Sequence, residues 1–236
     1  MLGTWINFAA IIIGGGLGVF LGSRLSDRVK NTVIAGMGLF VIALGIQMFL
    51  KTTNSIIPLG GLLIGGLLGE WWKIEEGFSN LGAWLERRIL PQKAEGGQEK
   101  FIRGFLTASI LFCAGPIAIL GSIQGGLYGE TQMLVVKSIL DGFIAMSFAS
   151  TMGMGVSFSA LPVLVYQGAM TLLAVQLKPL ASGIMLSEMT AVGGLVLMAV
   201  GISSVLGMYK IRVGSFIPAL FTTPLLVYVL QLLHII

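Results

Sequence analysis

Long apolar runs separated by short polar breaks dominate the chain. Crossing a hydrocarbon core of ~30 Å takes roughly 20 helical residues, and runs of about that length occupy positions 4–23, 31–50, 55–72, 103–128, 131–152, 158–177, 188–208 and 215–235. The pattern predicts an all-α, polytopic membrane protein of about eight transmembrane helices, forming a single domain over residues 1–236. The first run does not read as a removable leader, because its basic residues Arg24, Arg28 and Lys30 follow it instead of preceding it.

One segment has a different period. In 73–90 the apolar residues Ile74, Phe78, Leu81, Leu85 and Ile89 recur at helical spacing, while Glu75, Glu76, Asn80 and Glu86 lie mostly elsewhere. An amphipathic helix lying on the membrane surface is predicted there, just after Trp71 and Trp72, whose rings suit the headgroup level. The stretch 91–100, "PQKAEGGQEK", is read as a polar linker.

Composition agrees with this pattern: 56% of the 236 residues are hydrophobic and 10% charged, against roughly a quarter charged in soluble domains. The mean hydropathy is +0.96. The formal charge of +4 does not point to nucleic acid, because the basic residues sit in short breaks between apolar runs, where they orient membrane helices. With eight crossings, Arg24, Arg28 and Lys30, the segment from Lys73 to Arg103, and Lys210 with Arg212 share one side, cytoplasmic by the positive-inside rule. Both termini then lie outside the cytoplasm. If 131–177 were one long broken helix, seven crossings would send the last group to the other side. A lone Cys113 and a lone His234 make neither an internal disulfide nor a Cys/His metal cage, so no metal or cofactor is expected.

The chain also echoes itself. "LSDRVKNTVIAGMGLFVIALGI" at 25–46 resembles "LSEMTAVGGLVLMAVGI" at 186–202, and "SIIP" at 55 returns as "SFIP" at 215. Spans one to three thus repeat as spans six to eight. The copies are an odd number of spans apart, which predicts an inverted repeat around two central helices. Those two helices echo each other as well, Phe105, Ser109 and Gly115 matching Phe143, Ser147 and Gly153.

Glycine recurs every fourth residue in three sets: Gly14, Gly18, Gly22; Gly61, Gly65, Gly69; and Gly121, Gly125, Gly129. Each set predicts a smooth groove for close helix packing, within the chain or between copies in a homo-oligomer. The run "GGGLG" is not a nucleotide loop, since no strand precedes it and no lysine follows it. Pro116, in "CAGPIAI", removes an N–H from the middle of the fourth span and leaves the Phe112 carbonyl without its usual partner. That predicts either an ordinary kink eased by Ser109 or a helix broken around a site.

Chemistry concentrates in "VVKSILDGFIAMSFASTMGMG", residues 135–155, where Lys137 and Asp141 stand one helical turn apart in an apolar run. A span starting near 131 puts Asp141 ~15 Å deep, near the bilayer midplane and level with Gly115 and Pro116. A charge there costs about 2.5–3.5 kcal/mol on insertion scales and is kept only if paired or wet. Two readings follow: an ion pair that merely neutralises itself, or a carboxylate that Lys137 tethers until a cation or proton arrives. Phe112, Cys113, Pro116, Ser109 and Ser147 complete the candidate site, although Cys113 alone reads as packing. Secondary candidates are Glu70 and Glu130, each ending a glycine set, and Glu188, which reads foremost as a helix-start charge after Ser187. Asp27, its counterpart in the other repeat, reads as a loop residue.

The glycine-rich first span, "GGLLIGGLLGE" at 60–70, "CAGPIAILGSIQGGLYGE" at 113–130, "KSILDGF" at 137–143 and "KIRVGSFIPAL" at 210–220 resemble the YqgA-like family of bacterial inner-membrane proteins over essentially the whole chain. The resemblance implies a bacterial inner membrane and supplies no substrate or site residue. From the residues themselves, the expected function is an ion- or proton-coupled secondary transporter or a channel for a small solute or ion. The alternatives are a non-transporting scaffold or regulator that binds membrane proteins and, less favoured, an intramembrane enzyme. No HExxH or GxSxG motif supplies enzyme chemistry, so the protein is expected not to be an enzyme.

Overall fold

The computed structural model describes residues 1–89, 97–178 and 183–233. Most of the expected 91–100 linker and His234 lie outside the described residues. Among those described the chain is all helix, with no strand. The elements are α1 (Leu2–Gly22), α2 (Asp27–Phe49), α3 (Ile56–Trp71), α4 (Ile74–Ile89), α5 (Gly97–Ala114), α6 (Pro116–Tyr128) and α7 (Gln132–Met152). They continue with the single turn α8 (Gly155–Phe158), α9 (Ala160–Leu172), the turn α10 (Ala174–Leu177), α11 (Gly183–Ala199) and α12 (Ala219–Leu232). A π-helical stretch, Val200–Val205, extends α11, and a 3₁₀ turn, Val213–Phe216, leads into α12.

Among the described residues six stretches are long and apolar enough to cross a membrane unaided: α1, α2, α7, Gly155–Leu172, Gly183–Ser203 and Val213–Leu232. The fourth expected span is instead a pair of helices, Glu99–Cys113 and Ile117–Tyr128, bent by 59° at the break. The third, α3, is apolar but only 16 residues long.

Small residues decide how these helices meet, because lipid offers no hydrophobic drive and association depends on close packing. Side chains at Gly14, Gly18 and Gly22 would run into the carbonyls of Gly142, Met146 and Ser150, so the backbones of α1 and α7 touch. Residue numbers rise together along this seam, and the two helices are parallel. On α3, Gly61, Gly65 and Gly69 meet Thr223, Ala219 and Ser215 of the antiparallel α12 segment, while Gly45 of α2 and Gly194 of α11 face each other across a second antiparallel seam.

The third glycine set behaves differently. Gly121 faces the Leu134 side chain, and Gly129 is no groove position: it ends α6 in the left-handed conformation (φ 72°), with open space around it. The close approach on this helix belongs to Gly126, against Thr171 and Ala174.

Helix α1 also meets the α8–α9 segment, in the opposite sense, with Asn7 beside Gln167 of α9 and Gly15 beside Ser157 of α8. Since α1 is parallel to α7 and antiparallel to α9, the chain reverses between α7 and α9. The turn falls at Gly153, whose φ of 80° favours glycine. Residues 131–177 are therefore not one broken helix. The parallel α1 and α7 also require an odd number of crossings between them. With α2 crossing, the short α3 and the bent α5–α6 pair either both cross or both do not.

The amphipathic helix α4 divides its apolar residues between protein and surroundings. Phe78 and Leu85 pack with Phe101 and Phe105 of α5, whereas Leu81 and Trp84 remain exposed. Phe101 and Phe105 offer α4 an apolar partner that the pattern of residues 73–90 alone did not reveal.

Candidate functional site

Asp141 lies nine residues along α7 from Gln132, about 14 Å at 1.5 Å per residue. Its side chain and that of Lys137 form an ion pair, and each residue is only 5% exposed. Two further helices complete the arrangement. From α1, Asn7 donates Nδ2–H to Asp141 Oδ2 at 3.0 Å and to Gln167 Oε1 of α9 at 3.3 Å. From α5, the Phe112 ring lies beneath the Lys137 ammonium, 5.7 Å from its centroid. Asn7, Gln167 and Thr4, the last one turn before Asn7, are fully buried.

The hydrogen bonding here is unfinished. Both bonds from Lys137 and Asn7 to Asp141 end on Oδ2. Asn7 Oδ1, Gln167 Nε2 and the Thr4 hydroxyl are buried without a partner among the described residues. A buried polar group left unpaired costs about 1–3 kcal/mol, so these atoms call for an explanation. Cys113, next to Phe112, lies within electrostatic range of Lys137 and Asp141. It also lines an apolar cavity of about 100 Å³ together with Ser109, Ile110 and Tyr166. Further along α5, Ile102, Arg103 and Leu106 border a wider cleft of about 860 Å³, whose other walls include Glu75, Lys210 and Arg212.

The remaining expected residues fall into place unevenly. The helix does break at Gly115, which is extended (φ −76°, ψ 141°), and Pro116 starts α6, where its missing N–H costs nothing. Phe112 brings its ring to the site. Ser109 donates to the Phe105 carbonyl of its own helix at 2.6 Å and does not reach Asp141. Ser147 is exposed on the outer side of α7 and bonds the Phe143 carbonyl at 3.1 Å, so it is not part of the cluster. Asn7 and Gln167 were missed. Their signal was there, an isolated amide in each of two apolar runs, "TWINFAAIII" and "VLVYQGAM".

Of the secondary candidates, Glu130 is exposed at the α6–α7 turn. Glu70, at the end of α3, pairs with Arg212 and accepts from Ser215 at 3.0 Å, tying α3 to the start of the α12 segment. Glu188 corrects the expectation of a helix-start charge. Helix α11 begins at Gly183, so Glu188 lies inside it, fully buried. Its Oε1 accepts from Thr53 N and Thr53 Oγ1, both at 2.7 Å, and from Asn54 N at 3.3 Å, while its Oε2 accepts from the Thr52 hydroxyl.

Membrane-length apolar helices joined through glycine seams, with a buried ion pair among them, define a polytopic α-helical membrane protein. Residues 2–228 match the family described as "Protein of unknown function (DUF554)", and the chain belongs to that family. It is 32% identical over 220 residues to "Uncharacterized protein YqgA" of Escherichia coli (strain K12), covering 93% of each chain. It is 29% identical over 235 residues to "Uncharacterized membrane protein YdfK" of Bacillus subtilis (strain 168), covering 98% of this chain and 97% of that one. No solved structure matches.

Proposed function

We propose that the protein is a transporter, either an ion-coupled secondary carrier or a channel, that moves a small solute or monovalent cation through a site built on Asp141. The observation that carries this reading is the cluster of Lys137, Asp141, Asn7 and Gln167, buried near mid-membrane with unpartnered amide atoms, beside a helix broken at Gly115. Intramembrane charges mark substrate and ion paths, and broken helices at midplane are how carriers present polar backbone to cargo. The antiparallel seams α2–α11 and α3–α12 join the segments whose sequences echo each other, which supports the inverted-repeat reading. The cleft beside Arg103 and the cavity beside Cys113 follow one another along α5 and suggest the path from the basic, cytoplasmic face. In this reading the chain sits in a bacterial inner membrane with both ends outside the cytoplasm, and its faces allow a homo-oligomer.

The test is a flux screen in proteoliposomes across monovalent cations, divalent cations and small organic solutes. Asp141→Asn is expected to abolish any flux the wild type shows while inserting and purifying normally. Wild-type flux from that variant would end the proposal. A second reading draws on the same ion pair: because Lys137 already neutralises Asp141, the cluster would serve only to bolt α1, α7 and α9 together in a membrane scaffold. That reading predicts no flux of any solute, and loss of stability in the variant.

A further inference from the structure

We infer that the Asp141 site takes a primary ammonium ion with a short apolar tail, its nitrogen seated where the Lys137 ammonium now lies and its tail in the apolar cavity beside Cys113. The inference rests on the transport reading and names its substrate class. The position occupied by the Lys137 nitrogen is already built for such an ion. It has a carboxylate on one side, the Asn7 amide next to that carboxylate, and the face of Phe112 at 5.7 Å. Carboxylate and aromatic face both attract cations, more strongly where water is excluded.

Among the unfinished groups the Asn7 acceptor has the matching sense, whereas Gln167 Nε2 is a donor that an ammonium does not engage. An ammonium brings three donors and no acceptor. Asn7, held by its Nδ2 between Asp141 and Gln167, leaves Oδ1 as a fully buried acceptor without a partner. Asp141 receives Asn7 and Lys137 on Oδ2 alone. An anion could use the Gln167 donor but would be repelled by Asp141 and by the Asn7 acceptor.

The tail has its own space. The cavity of about 100 Å³ is walled by Ile110, Tyr166, Val196 and Leu220, and by Cys113, which lies within electrostatic range of Lys137 and Asp141. At ~30 Å³ per small group it holds about three to four methylene-sized units. Exchange keeps the membrane interior neutral, since one ammonium replaces another. Lys137 stands one turn nearer the helix start than Asp141, and its four-carbon stem lets the displaced charge extend toward the headgroups.

The experiment measures binding to the full-length protein in nanodiscs by calorimetry, with butylammonium as probe and methylammonium, tetramethylammonium, potassium and butyrate as comparators. Butylammonium is expected to bind at least tenfold more tightly than methylammonium, since three further buried methylenes allow up to about fiftyfold. Tetramethylammonium, which has no N–H, and butyrate should bind at least tenfold more weakly than butylammonium. Lys137→Met removes the internal competitor and should tighten butylammonium binding about tenfold or more. Phe112→Leu should weaken it about fivefold, and Cys113→Phe, which fills the cavity, should erase the preference for butyl over methyl. Failure of a correctly folded Lys137→Met protein to bind butylammonium overturns the inference, and so does equal binding of potassium or butyrate. Asp141-dependent flux of another solute without ammonium binding removes this substrate class and leaves transport standing. Ammonium binding that needs Asp141, without flux of any solute, supports the site and removes transport instead.

Discussion

Two carboxylates among the described residues are buried between these helices, and their surroundings are opposite. Glu188 of α11 is enclosed by the turn that links α2 to α3. Two backbone N–H groups and two threonine hydroxyls from residues 52–54 converge on it, with both oxygens used. Asp141 of α7 is met by one lysine and one asparagine, both on the same oxygen, with unpartnered polar atoms close by. Burial alone therefore does not distinguish a carboxylate that holds a fold from one that holds a ligand. The difference lies in whether the hydrogen bonding is complete. Glu188 is a staple that joins a loop to a helix; Asp141, in the proposed function, is half of an arrangement that a ligand completes.

The sharpest way to break this contrast is Glu188→Ala. It removes the charged acceptor shared by two backbone N–H groups and two hydroxyls of a partly exposed turn, and at about 1.5–3 kcal/mol for each hydrogen bond to a charged group, offset where the freed donors reach water, the loss should reach about 3 kcal/mol. Denaturation in detergent, followed by helical circular dichroism, would show it as a large fall in midpoint. A loss below about 1 kcal/mol would mean that the turn at 52–54 finds other partners and that the staple is not structural. Asn7→Leu is the corresponding change at the other site. It deletes the charge-assisted bond to Asp141 and the long bond to Gln167 Oε1, yet it also deletes the orphaned Oδ1, so the effects oppose each other and the net loss should be about 1–2 kcal/mol. Ammonium binding should nonetheless fall by about tenfold. If Asn7→Leu proved as costly as Glu188→Ala, the two clusters would be equivalent and the contrast would be lost.

Much of this was legible in the chain. Apolar runs give helices because backbone groups in a lipid core must bond within their own segment, and the Lys137–Asp141 pair stood out as charge where charge is expensive. Pro116 marked where the fourth span would kink or break, since it leaves the Phe112 carbonyl without its helical N–H partner. Legibility ended where three-dimensional contact begins. That Gly14, Gly18 and Gly22 lie on Met146 and its neighbours depends on a partner helix more than a hundred residues away. Asn7 and Gln167 carry no charge, and a lone amide in an apolar run becomes meaningful only when another polar group is placed opposite. Gly129 fitted its every-fourth-residue series by spacing but serves as a helix end, because α6 starts at Pro116 and stops at Tyr128. Glu188 misled for a related reason. Ser187 and Glu188 look like a helix start, but Ser187 donates to the Gly183 carbonyl one turn earlier, inside a helix already under way.

A third carboxylate, at the membrane edge, offers a finer test of the same idea. Glu75 opens α4 half-buried and accepts from the Gly214 N–H. Burial raises its pKa above the ordinary carboxyl value of 4.5 more than the Gly214 bond and Arg212 lower it, and the negative Glu70 adds to the rise. The unfolded chain thus releases this proton at lower pH than the folded one. Between the ordinary value and the raised one, the folded state holds more of the proton, so stability falls as pH increases through that window and levels off above it. Glu75→Gln should remove this slope and leave the protein slightly more stable than the wild type at neutral pH, with the Gly214 bond kept by the amide oxygen. Melting midpoints recorded from pH 4 to pH 8 would test it. A wild-type stability that rises across this range, with the variant flat, would show that the ionised carboxylate is favoured by Gly214 and Arg212 after all. Glu75 would then belong with Glu188 among the satisfied carboxylates.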